Sequence, residues 1–454
     1  MTAPVPAGSP RRRIGVIGAG YVGLTTAACL AHLGHDVTCA DIDEEKLRRL
    51  ARGEVPIREE GLEALVAQGL EAGRLRFDLG AATAARNADV VFVCVPSPPA
   101  ADGSADLSAL VAAVDAIGPV LAPGTTVVNK STLPVGSTRI VRRLLEQAGA
   151  AGGHFAVACN PEFLREGDAV HDFLHPHRIV VGCDDRNDAP VILELYRGLD
   201  APVLVTDCAS AELVKYASNA LLATKISFVN ALSELCEAVD ADVEEVTAGV
   251  GLDPRIGPQF LGPGPGYGGP CLPKDAAALL ASADSLGCEF GILRAVIERN
   301  EHQRERIVAK IRRAAGGSLA GARVAVWGLA FKAGTDDTRD SPALAVVGRL
   351  LDEGAAVRAY DPAVDSVPGD RFSRLVVMGN LYAPCTGADV LAVLTEWPEF
   401  RRADFRRIRA LLCRPVVVDA RNLLDAAALA GFAYEGVGRP STLQLQEENS
   451  LAVF

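Results

Sequence analysis

What this sequence lacks narrows its possible roles before any motif is considered. Aromatic residues are only 5% of the 454 positions. Its cores must therefore be built from small aliphatic side chains, which suits layered α/β packing. Basic residues are in deficit, 45 Lys and Arg against 57 Asp and Glu, a net charge of −12. A general nucleic-acid binder needs basic surface to neutralise phosphates, so that partner class is excluded. A small anionic ligand is not excluded, because a few cations and helix N-termini in one cleft can hold a diphosphate. No uninterrupted apolar stretch approaches the roughly 20 residues that span a bilayer. Arg11, Arg12 and Arg13 ahead of an apolar run imitate a signal peptide, but Gly15, Gly18, Gly20 and Gly23 break that run into a strand and a turn. A soluble chain with no membrane partner is expected. The eleven cysteines are odd in number, scattered and without a Cys-x-x-Cys pair. That argues against a disulfide framework or structural zinc and fits a reducing cytoplasm. His171, His175 and His177 are irregularly spaced around Pro176 and read as a surface loop, so no metal is expected.

What is present reads as alternating strands and helices. Residues 1 to 10 form a loose Ala- and Pro-rich tail, and a strand at 13 to 17 leads through a glycine turn into a helix to about His32. A second strand, Asp36 to Ala40, ends at Asp41, and strand-like runs follow at 89 to 95, 125 to 129, 155 to 159 and 178 to 182. From Ser210 to about Gly249 neither Pro nor Gly occurs for nearly forty residues, which predicts a long helix or a helix pair. The Gly- and Pro-rich segment 262 to 273 interrupts it, and helix resumes from about Asp275 to Ala315. Arg323 to Asp361 then repeats the plan of Arg13 to Asp41: strand, glycine turn, helix, strand, acid. The expected fold is α/β, with two Rossmann-like doubly wound domains joined by a long central helix and a helical dimerisation region. The domains are placed at 1–206, 207–316 and 317–454.

Gly18-Ala-Gly20-Tyr21-Val22-Gly23 matches Gly-x-Gly-x-x-Gly in the right context, after a strand and at the head of a helix. Gly18 would make the turn, Gly20 would let backbone approach a pyrophosphate, and Gly23 would allow helix–strand contact. Asp41 would bind a ribose 2′-hydroxyl and repel a 2′-phosphate, favouring NAD over NADP. A purely structural glycine turn is the alternative. Gly328 to Gly334 lacks the fingerprint, and Lys332 and Arg339 offer charge there instead, toward a different phosphate ligand or merely toward water.

Cys271 closes the segment Gly262-Pro-Gly-Pro-Gly-Tyr-Gly-Gly-Pro-Cys-Leu-Pro-Lys-Asp275, before a predicted helix and near Lys274. The dense glycines would let backbone N–H groups approach an anion. A helix N-terminus and a cation both favour thiolate, so Cys271 reads as an activated nucleophile, with a buried inert thiol as the alternative. The other ten cysteines, Cys94, Cys159 and Cys236 among them, read as inert residues of apolar runs. In a dehydrogenase such a cysteine has a chemical meaning. It adds to the aldehyde from a first oxidation, and the adduct loses a second hydride to become a thioester.

From about Arg13 to Leu424 the sequence resembles the UDP-glucose/GDP-mannose dehydrogenase family, on its UDP-glucose 6-dehydrogenase branch. The motifs are Gly-Ala-Gly-Tyr-Val-Gly (18 to 23), Val-Pro-Ser-Pro (95 to 98), Lys-Ser-Thr-Leu-Pro-Val-Gly-Ser-Thr (130 to 138) and Asn-Pro-Glu-Phe-Leu-Arg-Glu-Gly (160 to 167). Lys215-x-x-x-Asn219, Arg255-Ile-Gly, Gly-Gly-Pro-Cys-Leu-Pro-Lys-Asp (268 to 275), Ala-Phe-Lys (330 to 332), Asp-Thr-Arg (337 to 339), Thr-Glu-Trp-Pro-Glu-Phe (395 to 400) and Asp-Ala-Arg-Asn (419 to 422) follow in order. The resemblance implies NAD-dependent four-electron oxidation of UDP-glucose to UDP-glucuronate through a Cys271 thiohemiacetal and thioester. It makes Lys215 and Asn219, one helical turn apart, oxyanion stabilisers. Asp275 with Thr132 would handle protons through a water, and Glu162 would assist thioester hydrolysis. Tyr21, Val22, Lys46, Ser97, Thr132, Glu166, Lys274 and Arg339 would join the glycines and Asp41 around NAD. Phe163, Leu164, Lys215, Asn219, Phe260, Tyr267, Gly268, Lys332 and Arg421 would hold the nucleotide sugar. Arg255 would reach a partner subunit's substrate, so a homodimer or higher homo-oligomer is implied. Lys225 and Glu234 are left as solvated helix residues.

Pro270, Leu272 and Ser97 stand where many members carry Ser, Phe and Thr. Gly-Gly-x-Cys-Leu-Pro-Lys-Asp also resembles the GDP-mannose branch, whereas Arg-Ile-Gly, Glu-Trp-Pro-Glu-Phe and Asp-Ala-Arg-Asn favour UDP-glucose. The same chemistry on dTDP-glucose or GDP-mannose therefore stands as the alternative, since one methyl group is worth only about 1 to 3 kcal/mol in a pocket. A single-step alcohol dehydrogenase releasing aldehyde is the rival enzyme class. A nucleotide-sensing binding protein would be expected to lack Cys271, Lys215 or Asp275.

Overall fold

A computed structural model describes residues 11–100, 104–150, 155–425 and 427–443, so the expected tail at 1 to 10 lies outside the described residues. The chain divides into two compact units, residues Met1–Ser218 with Ala277–Cys288, and Asn219–Ala276 with Glu289–Phe454.

In the first unit the strands are β1 (Arg13–Ile17), β2 (Asp36–Asp41), β3 (Leu75–Leu79), β4 (Val90–Val93), β5 (Thr126–Asn129), β6 (Ala156–Cys159), β7 (Ile179–Cys183) and β8 (Val203–Thr206). They form one sheet in the order β3-β2-β1-β4-β5-β6-β7-β8, in which only the β6–β7 pairing is antiparallel. The first six follow the 3-2-1-4-5-6 order of a doubly wound nucleotide-binding sheet. Every residue of β4 and β5 is buried, as strands covered on both faces must be, and their valine-rich sequences suit that position. The helix Tyr21–His32 is buried from Gly23 to Ala31, where Ala27, Ala28 and Ala31 let it lie close to the sheet. The strand-like runs expected at 89 to 95, 125 to 129, 155 to 159 and 178 to 182 are β4 to β7.

The second unit contains β9 (Arg323–Trp327), β10 (Ala356–Tyr360), β11 (Val376–Val377), β12 (Val390–Val393), β13 (Val416–Asp419) and β14 (Ala433–Glu435). Their order is β11-β10-β9-β12-β13-β14, all parallel, so the faint repeat of Arg13–Asp41 at Arg323–Asp361 is a second sheet of the same order. Several of the scarce aromatics gather in its core, where Trp327 stacks on Phe400 at 4.9 Å beside Phe405.

The segment without Pro or Gly is one 31-residue helix, Cys208–Ala238, followed by Val243–Gly251. Asp240, at φ 56°, marks the break between them. The helical region expected at 275 to 315 comprises two helices, Leu272–Ser285 and Gly291–Ala314, separated at Gly287 with φ +68°. Glu234, expected to be merely solvated, pairs with Arg299 at 2.8 Å, whereas Lys225 is at the surface and donates to the Ile256 carbonyl. Lys310 is buried between Glu237 at 2.9 Å and Glu435 at 3.0 Å, fastening two helices to β14.

Candidate functional site

The glycine turn after β1 gives each glycine of the fingerprint a separate steric reason. A Cβ on Gly23 would lie 1.8 Å from the Gly18 carbonyl oxygen, and one on Gly18, at φ +98°, would lie 2.4 Å from the Cys94 carbonyl oxygen. Gly20 meets nothing within 4 Å. Its bare Cα leaves open the space that a pyrophosphate at this helix N-terminus needs, so the turn fits a dinucleotide. Asp41 ends β2 as expected and also braces the turn: one oxygen accepts from the Ala19 amide at 2.8 Å and from Lys46 at 3.0 Å. Burial pushes its pKa up, but the Ala19 and Asp43 amides and Lys46 more than offset this and hold it below the usual carboxylate range. An ionised acid at this point suits a ribose hydroxyl and opposes a 2′-phosphate. Tyr21, on the same helix, donates to the Arg58 carbonyl at 3.2 Å. Ser97 and Thr132 come together, the Ser97 hydroxyl donating to the Thr132 carbonyl at 2.8 Å.

Beyond β6, Glu162 and Lys215 form a buried ion pair at 2.7 Å. Burial alone would raise the Glu162 pKa. Lys215, the Leu164 amide at 2.8 Å and the more distant Lys130 outweigh it and keep the carboxylate ionised. Phe163 stands close to two cations, with the Arg178 guanidinium 3.8 Å and the Lys215 ammonium 5.7 Å from its ring centre. Glu59 accepts from the Gly167 and Ala169 amides at 2.7 and 2.6 Å, fixing the backbone just after Glu166.

In the second unit Asn219, Lys274 and Asp275 converge. Asp275 is 1% exposed and accepts from the Asn219 amide at 2.6 Å and from Lys274 at 2.7 Å. Cys271 is half-buried at the head of the helix Leu272–Ser285, and its carbonyl accepts the Asp275 amide at 2.9 Å. A sulfur at this helix end lies in the field that favours thiolate. The glycine loop before it also has a packing reason for its glycines. Cβ atoms on Gly266 and Gly268 would lie 2.5 Å from Asn300 Oδ1 and 2.3 Å from the Asp340 carbonyl oxygen, so these glycines serve packing within the unit, and Gly262 alone in Gly262–Gly269 opens onto free space. Asn300 holds Tyr267 by both backbone groups, at 2.8 and 3.0 Å. Phe260, at φ 63°, is a strained non-glycine residue beside the same loop. Arg421 donates to the Leu394 carbonyl at 3.0 Å and the Phe331 carbonyl at 3.3 Å, next to Gly264. Lys332 is half-exposed and has no polar partner among the described residues. Arg255 and Arg339 are exposed and pair with the neighbouring Asp253 and Asp337.

Two expectations about other residues change. Cys288 and Cys413 are exposed, not buried in apolar runs, while the remaining eight besides Cys271 are buried. His171 belongs to the short helix Ala169–Leu174 and not to a loop, although all three histidines are at the surface. No group of three His, Cys, Asp or Glu among the described residues is placed to hold a metal, and no described helix is long and apolar enough to cross a membrane.

Family models match along the chain in the order that these parts require. The NAD binding domain of the UDP-glucose/GDP-mannose dehydrogenase family matches residues 12–200, its central domain 209–302 and its UDP binding domain 325–426. The chain belongs to that family. Its NAD binding model covers the Gly18–Gly23 turn and Asp41, so NAD is the cofactor. Among relatives, the UDP-glucose 6-dehydrogenase TuaD of Bacillus subtilis is 43% identical over 95% of this chain and 94% of its own length. The UDP-glucose 6-dehydrogenase of Pseudomonas aeruginosa is 44% identical over 94% and 98%. A UDP-glucose dehydrogenase structure from the archaeon Pyrobaculum islandicum superposes with a TM-score of 0.88 at 39% identity, covering 96% of this chain and 99% of that one. A GDP-mannose dehydrogenase structure from Pseudomonas aeruginosa reaches 0.53 at 30%, covering 94% and 99%.

Several residues of these clusters escaped the sequence reading. Glu59, Asn300 and Lys130 carry no local pattern that marks them, because their partners are 33 to 110 residues away in sequence or 30 and 66 away. Asp361 is the exception. It occupies the place of Asp41 in the repeat, and its Oδ2 accepts the Leu329 and Ala330 amides and the Trp397 indole. Asp361 is also buried, at 3% exposure, whereas Asp41 keeps part of its surface open, so the second sheet offers no accessible acid at that position.

Proposed function

We propose that this chain is an NAD-dependent UDP-glucose 6-dehydrogenase, oxidising C6 of the sugar to the carboxylate in two steps. The observation that carries the reading is Cys271 at a helix head with Asn219, Lys274 and Asp275 gathered beside it, in a chain whose relatives bear that activity along almost their full length. The domain limits 1–206, 207–316 and 317–454 would correspond to NAD, helical and nucleotide-sugar parts. NAD, when bound, accepts the hydride in each oxidation. Asp275 and Thr132 take the alcohol proton through a water as the first hydride leaves C6. The Cys271 thiolate then adds to the aldehyde carbon, and Lys215 and Asn219 stabilise the oxyanion. Loss of the second hydride gives the thioester. Glu162 takes a proton from water as its oxygen attacks, the C–S bond breaks, and the carboxylate leaves.

Three features support further parts of the reading. The 43 and 44% identity to UDP-glucose 6-dehydrogenases over nearly the whole chain favours UDP-glucose over GDP-mannose. A homodimer built on the helix Cys208–Ala238 is supported by Leu221, Phe228 and Leu235, seven residues apart and each about 60% exposed. None of the eleven cysteines forms a disulfide, which suits the reducing cytoplasm.

The test is NADH formed per mole of limiting sugar on UDP-glucose, dTDP-glucose and GDP-mannose. Two equivalents on UDP-glucose are expected, and none from Cys271→Ser beyond the first oxidation, with its NAD affinity unchanged. One equivalent from the native enzyme, or normal uronate from Cys271→Ser, refutes the thioester route.

A further inference from the structure

The mechanism above leaves one buried cation of the first unit without a role. Lys130 is 4% exposed and has no ion-pair partner among the described residues. Burying an ammonium without a carboxylate is costly, so its retention needs a reason. Its Nζ donates to Asn160 Oδ1 at 3.0 Å and approaches the Asn160 carbonyl at 3.5 Å and the Tyr196 hydroxyl at 3.4 Å. The rings of Phe92, Tyr196 and Phe173 stand 5.8 to 6.0 Å away. Asn160 is itself held on several sides. Its Oδ1 also accepts the Tyr196 hydroxyl at 2.5 Å, its Nδ2 donates to the Val180 carbonyl at 2.8 Å, and its amide donates to Asn129 at 2.9 Å.

The placement gives this cluster its meaning. Lys130 directly follows β5 and Asn160 directly follows β6, at the carboxyl ends of adjacent strands, where open α/β sheets present their chemistry. Two residues further along each segment stand Thr132 and Glu162. We propose that Lys130 is a positioning residue for the hydrolytic step, its buried ammonium locking the ends of β5 and β6 together through Asn160 and supporting the charge of Glu162. This rests on the assignment of Glu162 as the base. The groups that bear on Glu162 are Lys215 in contact, the Leu164 amide, Lys130, and Cys94. The Cys94 thiol is pushed up to about 12 by burial and stays neutral. Two cations and one amide therefore support the Glu162 charge, and Lys130 is the cation that acts on it from a distance.

The sign follows. Glu162 must be ionised to accept a proton from water, and both cations hold its pKa down. Removing Lys130 lets that pKa rise, so the acidic limb of kcat moves to higher pH. The experiment compares native enzyme, Lys130→Met, Lys130→Gln and Glu162→Gln by rapid-mixing NADH traces and kcat–pH profiles, with NAD titration reporting the fold. Both Lys130 variants are expected to bind NAD within about twofold of native. Each should form about two NADH per subunit rapidly and then turn over at least about tenfold more slowly, with the acidic limb raised by about half a pH unit or more. Should Lys130→Met fail to fold, Lys130→Gln, which keeps a donor but not the charge, decides alone. An unmoved limb overturns the proposal whether or not kcat falls, because a structural loss alone would slow turnover without shifting it. Native-like turnover by Glu162→Gln would instead remove the base assignment, and the role of Lys130 with it.

Discussion

Gly20 and Gly23 belong to one fingerprint and would be substituted with opposite consequences. Gly23→Ala places a methyl group 1.8 Å from the Gly18 oxygen, a clash with backbone that cannot move aside. We expect it to destabilise the first unit by more than about 3 kcal/mol in denaturant unfolding. Gly20→Ala enters open space at a helix N-cap with φ −83°, a conformation alanine adopts freely. Its stability should stay within about 1 kcal/mol of native, while NAD affinity measured by titration falls about tenfold as the methyl group takes the pyrophosphate's place. Equal NAD affinity in Gly20→Ala would mean that the open space is not where the cofactor approaches. The fingerprint and its acid were legible in the sequence because their spacing is local and the chemistry of a glycine turn is fixed. The packing role of Gly266 and Gly268 was not, because high glycine density looks the same whether the crowding group is an anion or the protein's own backbone. Lys130 was quoted within a motif, yet nothing in it announced a buried cation, since Asn160 and Tyr196 lie far along the chain.

At the scale of elements the strands were the most legible part. Short runs of buried valine between glycine and polar breaks have few other interpretations. Helix breaks were harder. The break at Gly287 falls inside what reads only as a helical region, and one glycine within a periodic stretch is a weak signal for where one helix ends. The helix Cys208–Ala238 was visible from its lack of Pro and Gly, but its exposed stripe emerges only with burial in hand. Leu221, Phe228 and Leu235 repeat every seven residues on a face left to solvent in the single chain. Burying a large apolar side chain is worth about 1.5 to 3 kcal/mol, and two of them about 3 to 6. Replacing Leu221 and Phe228 together by Glu should therefore weaken self-association at least about a hundredfold. Light scattering at micromolar concentration should then report the monomer mass. A dimer of native affinity in that variant would place the interface elsewhere.

For the whole molecule, two sheets of the same strand order make different offers to a phosphate. The first presents bare backbone at Gly20 and an ionised Asp41 braced by Lys46. The second buries its acid, Asp361, beneath the Leu329 and Ala330 amides and the Trp397 indole, and leaves Lys332 without a polar partner among the described residues. The repeat of fold was legible from strand, turn and acid. The divergence of ligand was only half legible, since Lys332 shows in the sequence but the burial of Asp361 does not. The difference predicts separate footprints in hydrogen–deuterium exchange. Excess NAD should slow exchange at the amides around Gly18–Gly23 and the end of β2, because a bound ligand stabilises the state that holds it, by about 2.7 kcal/mol at a hundred times Kd. UDP alone should slow exchange near 328–334 and in the loop 262–271, and leave the first turn unaffected. NAD protection at 328–334 would reverse the assignment of the two sheets. It would also show that Lys332, and not the open Gly20, marks the dinucleotide site.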